Sequence, residues 1–274
     1  MPICWWKVFV LRSWHDWVSA TTCCAGQSEA GLLRAITGYG SDGQFAHKAG
    51  HDLNYIAYSG VLDQLAAHDG VHIAPNLQLA DLLGGALATV MEMLAALWHV
   101  ARGGEGRCLN VSMTHAMHAH NVMTHIALAN DDHASTRAGA GLLNGGVPCY
   151  DVYRTKDERF IAVGARWNCE VLADLVRSLC EAIGRPQWGA RHWSPGQAIG
   201  GADAAQLGVL IRERTRDEWV ALLEPLDCCV APVLTPAEAA VHPLLLAEHS
   251  APQQDLTRLA FVVDEHVLAA HHIG

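Results

Sequence analysis

The chain has 274 residues, 51% of them hydrophobic and 17% charged, with a formal net charge of −10. This length and apolar share suffice for one large or two modest cores, while the acidic balance argues against a general nucleic-acid binder, whose electrostatic footprint is basic. Nine cysteines include two adjacent pairs, Cys23-Cys24 and Cys228-Cys229, but no C-x-x-C, so neither a zinc ribbon nor a disulfide framework is indicated and a reducing, cytoplasmic compartment fits best.

Residues 1–28 crowd Trp5, Trp6, Trp14 and Trp17 together with Cys4, Cys23 and Cys24. Arg12, His15 and Asp16 interrupt the apolar residues, so the segment reads neither as a signal peptide nor as a bilayer span. Next, Arg34-Ala35-Ile36-Thr37 predicts a strand that runs into the glycine-rich loop Gly38-Tyr39-Gly40-Ser41-Asp42-Gly43, and such a loop can lie close to a ligand. Gly50-His51-Asp52-Leu53-Asn54-Tyr55 follows.

Asp81 stands in Leu79-Ala80-Asp81-Leu82-Leu83-Gly84-Gly85, ahead of an apolar run from Ala86 to Val100. That predicts a carboxylate at or near a helix N-terminus, where free N–H groups and the helix dipole stabilise negative charge. Imidazole titrates near neutrality, so His51 and Asp81 read as a pair of opposed acid/base groups. By length alone Leu82 to Val100 suits a membrane span; Glu92, His99 and the leading glycines favour a buried core helix that stops at Arg102-Gly103-Gly104, with no membrane partner.

A second histidine group, His115, His118, His120 and His125, follows the strand Leu109 to Met113. His115 and His118 share a helix face, but no carboxylate or cysteine joins them at ligand spacing, so no metal is expected. Gly139 to Gly146 reads as a linker. Tyr150 to Arg154 and Arg159 to Gly164 predict a hairpin around the polar tip Thr155-Lys156-Asp157-Glu158. Helical patterns cover Cys169–Ile183, Ala204–Arg214 and Arg216–Glu224, and Cys228–Leu234 is β-like. Thr235-Pro236-Ala237-Glu238 then has the order of an N-cap, a first-turn proline and a capping-box glutamate.

Gly-His-Asp-Leu-Asn-Tyr, then Leu-Ala-Asp and a Gly-Gly-led apolar helix, resembles the signature of the α-methylacyl-CoA racemases in the family III CoA-transferase (CaiB/BaiF) superfamily. The likeness continues through Arg102-Gly103-Gly104-Glu105-Gly106, Leu109 to Met113, Leu142 to Tyr150 and Cys229 to Leu234. It implies an α/β fold: a Rossmann-like large domain, here N-terminally truncated, plus a small α+β domain, in an interlocked homodimer. On that basis residues 29–140 are the remainder of the large domain, 141–240 the small domain, and 241–274 a return to the large domain; residues 1–28 match nothing in the family and suggest a truncated or frame-shifted reading of a longer gene.

The resemblance also implies chemistry: inversion at C2 of a 2-methylacyl-CoA through an enolate, in fatty-acid metabolism. His51 and Asp81 would be the catalytic pair, and Asp52 and Tyr55 would orient them. Gly38, Tyr39, Gly40 and Gly50 would contact the thioester or coenzyme A, with N–H groups of the Gly38–Gly40 loop or of the Asp81 helix start as donors to the enolate oxygen. Coenzyme A enters as part of the substrate, and no separate cofactor is expected. At Arg166-Trp167 the related racemases carry Ile-Glu, and loss of that carboxylate is expected to lower the basicity of His51. Two alternatives stand beside the racemase: a CoA-transferase with Asp81 as acyl-accepting nucleophile, and a non-catalytic remnant.

Overall fold

The computed structural model describes residues 32–66, 70–106, 108–165, 170–190, 202–226 and 228–247. The segment 1–28, the Arg166-Trp167 departure and the C-terminal return beyond residue 247 lie outside the described residues. Among these, the elements divide between two hydrophobic clusters, one before and one after residue 140.

In the first, β1 (Leu32–Thr37) pairs in parallel with β2 (Cys108–Ser112), Thr37 lying opposite Ser112. Parallel strands require a crossover. Here it carries α1 (Asp52–Tyr58), α2 (Val61–Gln64) and α3, which opens as a π-helical stretch, Ala80–Leu87, and continues as an α-helix, Ala88–Ala101. After β2 come α4 (Met113–His120) and α5 (Val122–Ala129). The glycines at the start of α3 permit its contact with α4: a Cβ at Gly84 would lie 2.8 Å from the Met113 carbonyl oxygen. The small core here comprises Tyr39, Tyr55, Ile56, Ala80 and Met117.

The expected buried core helix is only partly what α3 becomes. Thr89 and Ala96 are buried, whereas Leu82, Leu83, Leu87, Val90, Met91, Leu94 and Trp98 are exposed, Trp98 at 67%. The cause is the small-residue stripe: Gly84, Gly85, Thr89 and Ala96 meet neighbours, and the large side chains fall on the other faces. Over Ala80–Ala101 the helix has the length and hydropathy of a bilayer span.

The second cluster is built on the hairpin β3 (Tyr150–Arg154) and β4 (Phe160–Gly164), with β5 (Val230–Pro232) antiparallel to β4. Alternate residues Ile161 and Val163 point inward, as period-two burial requires. Against them pack α6 (Glu170–Ala182), through Val176, Leu179 and Cys180, α7 (Ala202–Ile211), through Leu207, Leu210 and Ile211, and α8 (Arg216–Leu223), through Trp219 and Leu223. Each such aliphatic side chain contributes roughly 1.5–3 kcal/mol by burial. The Trp219 indole N–H donates to the Ile211 carbonyl at 2.7 Å and the Tyr153 hydroxyl to the Pro148 carbonyl at 2.6 Å, so both polar atoms are satisfied inside the core.

The short helix α9 (Pro236–Ala239) starts as its residues predict: Thr235 is the N-cap, Pro236 opens the helix, and the Glu238 carboxylate accepts from the Thr235 N–H at 2.8 Å. The same carboxylate receives both terminal nitrogens of buried Arg216, at 3.1 and 2.9 Å, and the Arg159 guanidinium at 2.6 Å. It therefore clamps the hairpin, α8 and α9 together.

Candidate active site

The β1–loop–α1 segment is held by its own polar atoms. Thr37 Oγ1 accepts from the Gly40 N–H at 3.0 Å and donates to the Val111 carbonyl at 3.3 Å, tying the loop to β2. The Gly38 carbonyl accepts from the Thr114 N–H and hydroxyl, at 3.0 and 2.7 Å. Glycine is required where two rings close over this backbone. A Cβ at Gly38 would fall 2.3 Å from the Tyr55 ring, and one at Gly50 2.6 Å from the Tyr39 hydroxyl oxygen.

Tyr55 and Tyr39 meet edge to face, with centroids 5.1 Å apart. The Tyr55 hydroxyl donates to the Gly50 carbonyl at 2.5 Å, fixing the residue just before His51. His51 is the N-cap of α1 in extended backbone, and its N–H donates to Asn54 Oδ1 at 3.0 Å. Its imidazole stands exposed at the helix start.

Asp81 lies in the first turn of α3, not at its cap; Leu79 occupies that position. The reason is a long-range bond: Asp52 Oδ1 accepts from the Asp81 N–H at 2.9 Å, so the side chain beside His51 satisfies a free donor of the helix that carries Asp81. Burial first, and then the Asp52 carboxylate, push the Asp81 carboxyl above its ordinary range, while His51 pulls it back. Burial, with Tyr39, Asp81 and Asp52, likewise raises the Tyr55 phenol. The four side chains expected at the site, His51, Asp52, Tyr55 and Asp81, thus share one electrostatic neighbourhood.

A cavity of about 520 Å³ opens beside it, lined by His51, Asp52, Leu53, Ala74–Leu77, Gln78 and Leu82. Asp81 is not among the lining residues, but Gln78, which is, has its Nε2 3.4 Å from Asp81 Oδ2. Tyr39 and Gly40 line a separate cavity of about 470 Å³ at the ends of β1 and β2, with Asp42, Glu92, Ser112 and His115. The Gly40 and Asp81 N–H groups are already engaged, by Thr37 and Asp52, so neither is free for an enolate oxygen in this arrangement.

Sequence reasoning missed an aromatic group. Phe45 and Tyr58 surround Lys48, whose ammonium hydrogen-bonds the Tyr58 hydroxyl and lies 4.5 Å from that ring's centroid. Tyr58 is one helical turn beyond Tyr55, and that spacing was the available signal. The Tyr39 hydroxyl is buried without a hydrogen bond among the described residues.

The rival histidines are occupied by local structure. His115 Nδ1 meets the α4 cap Ser112 at 2.7 Å, His118 Nδ1 meets the Ser59 carbonyl at 3.2 Å, and His125 Nε2 meets the His118 carbonyl at 2.7 Å. Among the described residues, no three histidine, cysteine, aspartate or glutamate side chains are grouped to hold a metal ion.

The sequence pattern of CoA-transferase family III matches residues 33–261. Human alpha-methylacyl-CoA racemase is 30% identical over 219 residues, which are 77% of this chain and 53% of that protein. Mouse succinyl-CoA:glutarate CoA-transferase is 28% identical over 134 residues, 49% of this chain and 30% of that one. Among solved structures, a CAIB/BAIF family protein from Brucella suis aligns with a TM-score of 0.61 at 20% identity, covering 84% of this chain and 62% of its own. The chain spans about half the length of the curated relatives it matches.

Proposed function

The chain belongs to CoA-transferase family III, and from that premise we propose that it interconverts the two configurations at C2 of a 2-methylacyl-CoA by proton transfer through an enolate. The observation that carries this reading is the bond from the Asp81 N–H to the Asp52 carboxylate, which joins the helix starts that carry His51 and Asp81. One group removes the C2 proton while the other, in its conjugate-acid form, delivers a proton to the opposite face. A raised Asp81 carboxyl suits this task, because burial and Asp52 make it a stronger base than an ordinary carboxylate. Coenzyme A is carried in as part of the substrate, without a further cofactor.

The test is deuterium wash-in at C2 of a 2-methylacyl-CoA in heavy water. The unaltered chain incorporates label, and His51→Ala and Asp81→Ala each lower incorporation by about a hundredfold or more, the usual scale of a general acid or base. Incorporation that is equal in all three proteins sinks the reading.

Similarity to the succinyl-CoA:glutarate CoA-transferase supports a second reading, in which Asp81 attacks the thioester and carries the acyl group. Exchange of label between a free acid and its acyl-CoA, without C2 wash-in, would favour it. A calorimetric titration with coenzyme A showing no heat, on a chain with a cooperative thermal melt, would leave the non-catalytic remnant. The homodimer and the cytoplasmic location belong to the same proposal. They are supported by the exposed face of α3 and by the free thiols of Cys149 and Cys229.

A further inference from the structure

Asp81 contributes to chemistry only if its carboxylate is aimed at the space that His51 lines. Asp81 is not among the residues that line this cavity, whereas Gln78, a polar side chain that does line it, is in contact with the Asp81 carboxylate. The Gln78 carbonyl accepts from the Leu82 N–H at 3.0 Å, so Gln78 begins the turn that Asp81 continues. Residues three apart on such a turn share a face. Its amide Nε2 lies 3.4 Å from Asp81 Oδ2, and among the described residues no other donor is within hydrogen-bond distance of that carboxylate. Contacts of this kind tighten when reacting groups are aligned.

We propose that Gln78 is a positioning residue, whose amide tethers the Asp81 carboxylate and turns it toward the cavity that Gln78 and His51 line. The inference rests on the acid/base reading of Asp81 given above and adds the residue that makes the pair work. Burial and Asp52 both oppose ionisation of Asp81. An amide donor to a carboxylate favours its charged form, so a tether from Gln78 aims the base and opposes its protonation.

Two readouts test it on the full chain. In carbon-13 spectra of aspartate-labelled protein, Gln78→Leu shifts the Asp81 titration midpoint upward, and Gln78→Glu, which keeps length and shape but adds a like charge, shifts it further. In the wash-in assay Gln78→Leu lowers kcat about tenfold with KM within about twofold, the pattern of a group acting on the transition state. The acid limb moves to higher pH, and Gln78→Asn recovers part of the loss. An unchanged Asp81 midpoint in both Gln78→Leu and Gln78→Glu overturns the proposal. Should Gln78→Leu unfold, Gln78→Glu carries the test by itself. If the unaltered chain shows no wash-in, the racemase reading fails, and the titration still decides whether Gln78 governs Asp81.

Discussion

Asp52 serves two residues at once. It follows His51 in the chain, and its carboxylate accepts the Asp81 N–H while raising the Asp81 carboxyl. The two effects separate by substitution. Asp52→Asn keeps an acceptor oxygen but removes the charge, so the Asp81 midpoint falls, opposite in sign to Gln78→Leu. Asp52→Ala removes the acceptor as well and costs about 1–2 kcal/mol for a part-buried N–H left unpaired. Carbon-13 titration and a denaturant melt read the two separately; an Asp81 midpoint that rises in Asp52→Asn contradicts the electrostatic account. Gly38 and Gly50 act differently, by leaving the room that the Tyr55 and Tyr39 rings fill.

At the scale of elements, the hairpin–α8–α9 corner is held by one carboxylate. Arg216, foremost, and then Thr235 hold the Glu238 carboxyl far below the ordinary glutamate value of 4.5. A carboxyl depressed in the folded chain binds fewer protons there than in the unfolded one, so its stabilisation is complete above that ordinary value and is lost as pH falls below it. Glu238→Gln should therefore melt earlier at neutral pH and show a flatter loss of Tm between about pH 5 and pH 3. Parallel acid limbs for the two proteins would mean that the clamp carries no linkage. The corner was legible beforehand, because Thr-Pro-Ala-Glu names its own cap, proline and acceptor. Arg216 was not, since its partner lies 22 residues along the chain.

For the molecule as a whole, the exposed face of α3 dominates among the described residues. Leu83, Leu87, Val90, Leu94 and Trp98 fall at three- and four-residue spacing along one helix and, with Met91, are all exposed. A stripe of this length exceeds what monomers ordinarily show to water. Under the proposed homodimer, sedimentation gives a mass above that of the 29.5 kDa chain, and Leu87→Glu with Leu94→Glu returns it to the monomer without altering the hairpin unit. A monomer in both proteins removes the dimer from the proposal.

What the sequence determined by itself is local: the strand into the glycine loop, the stop of α3 at Arg102, the hairpin, the cap at Thr235, and the motif by which the family is legible. Such features arise from interactions a few residues apart, which leave a pattern in the chain. Tertiary structure alone decided that Asp52 reaches Asp81 across 29 residues, that Asp81 lies inside the first turn and not at the cap, and that Tyr39 and Gly40 face a cavity other than that of His51. It also decided which face of an almost uniformly apolar helix is covered. Long-range bonds and burial depend on how elements meet in space, and no spacing along the chain encodes that.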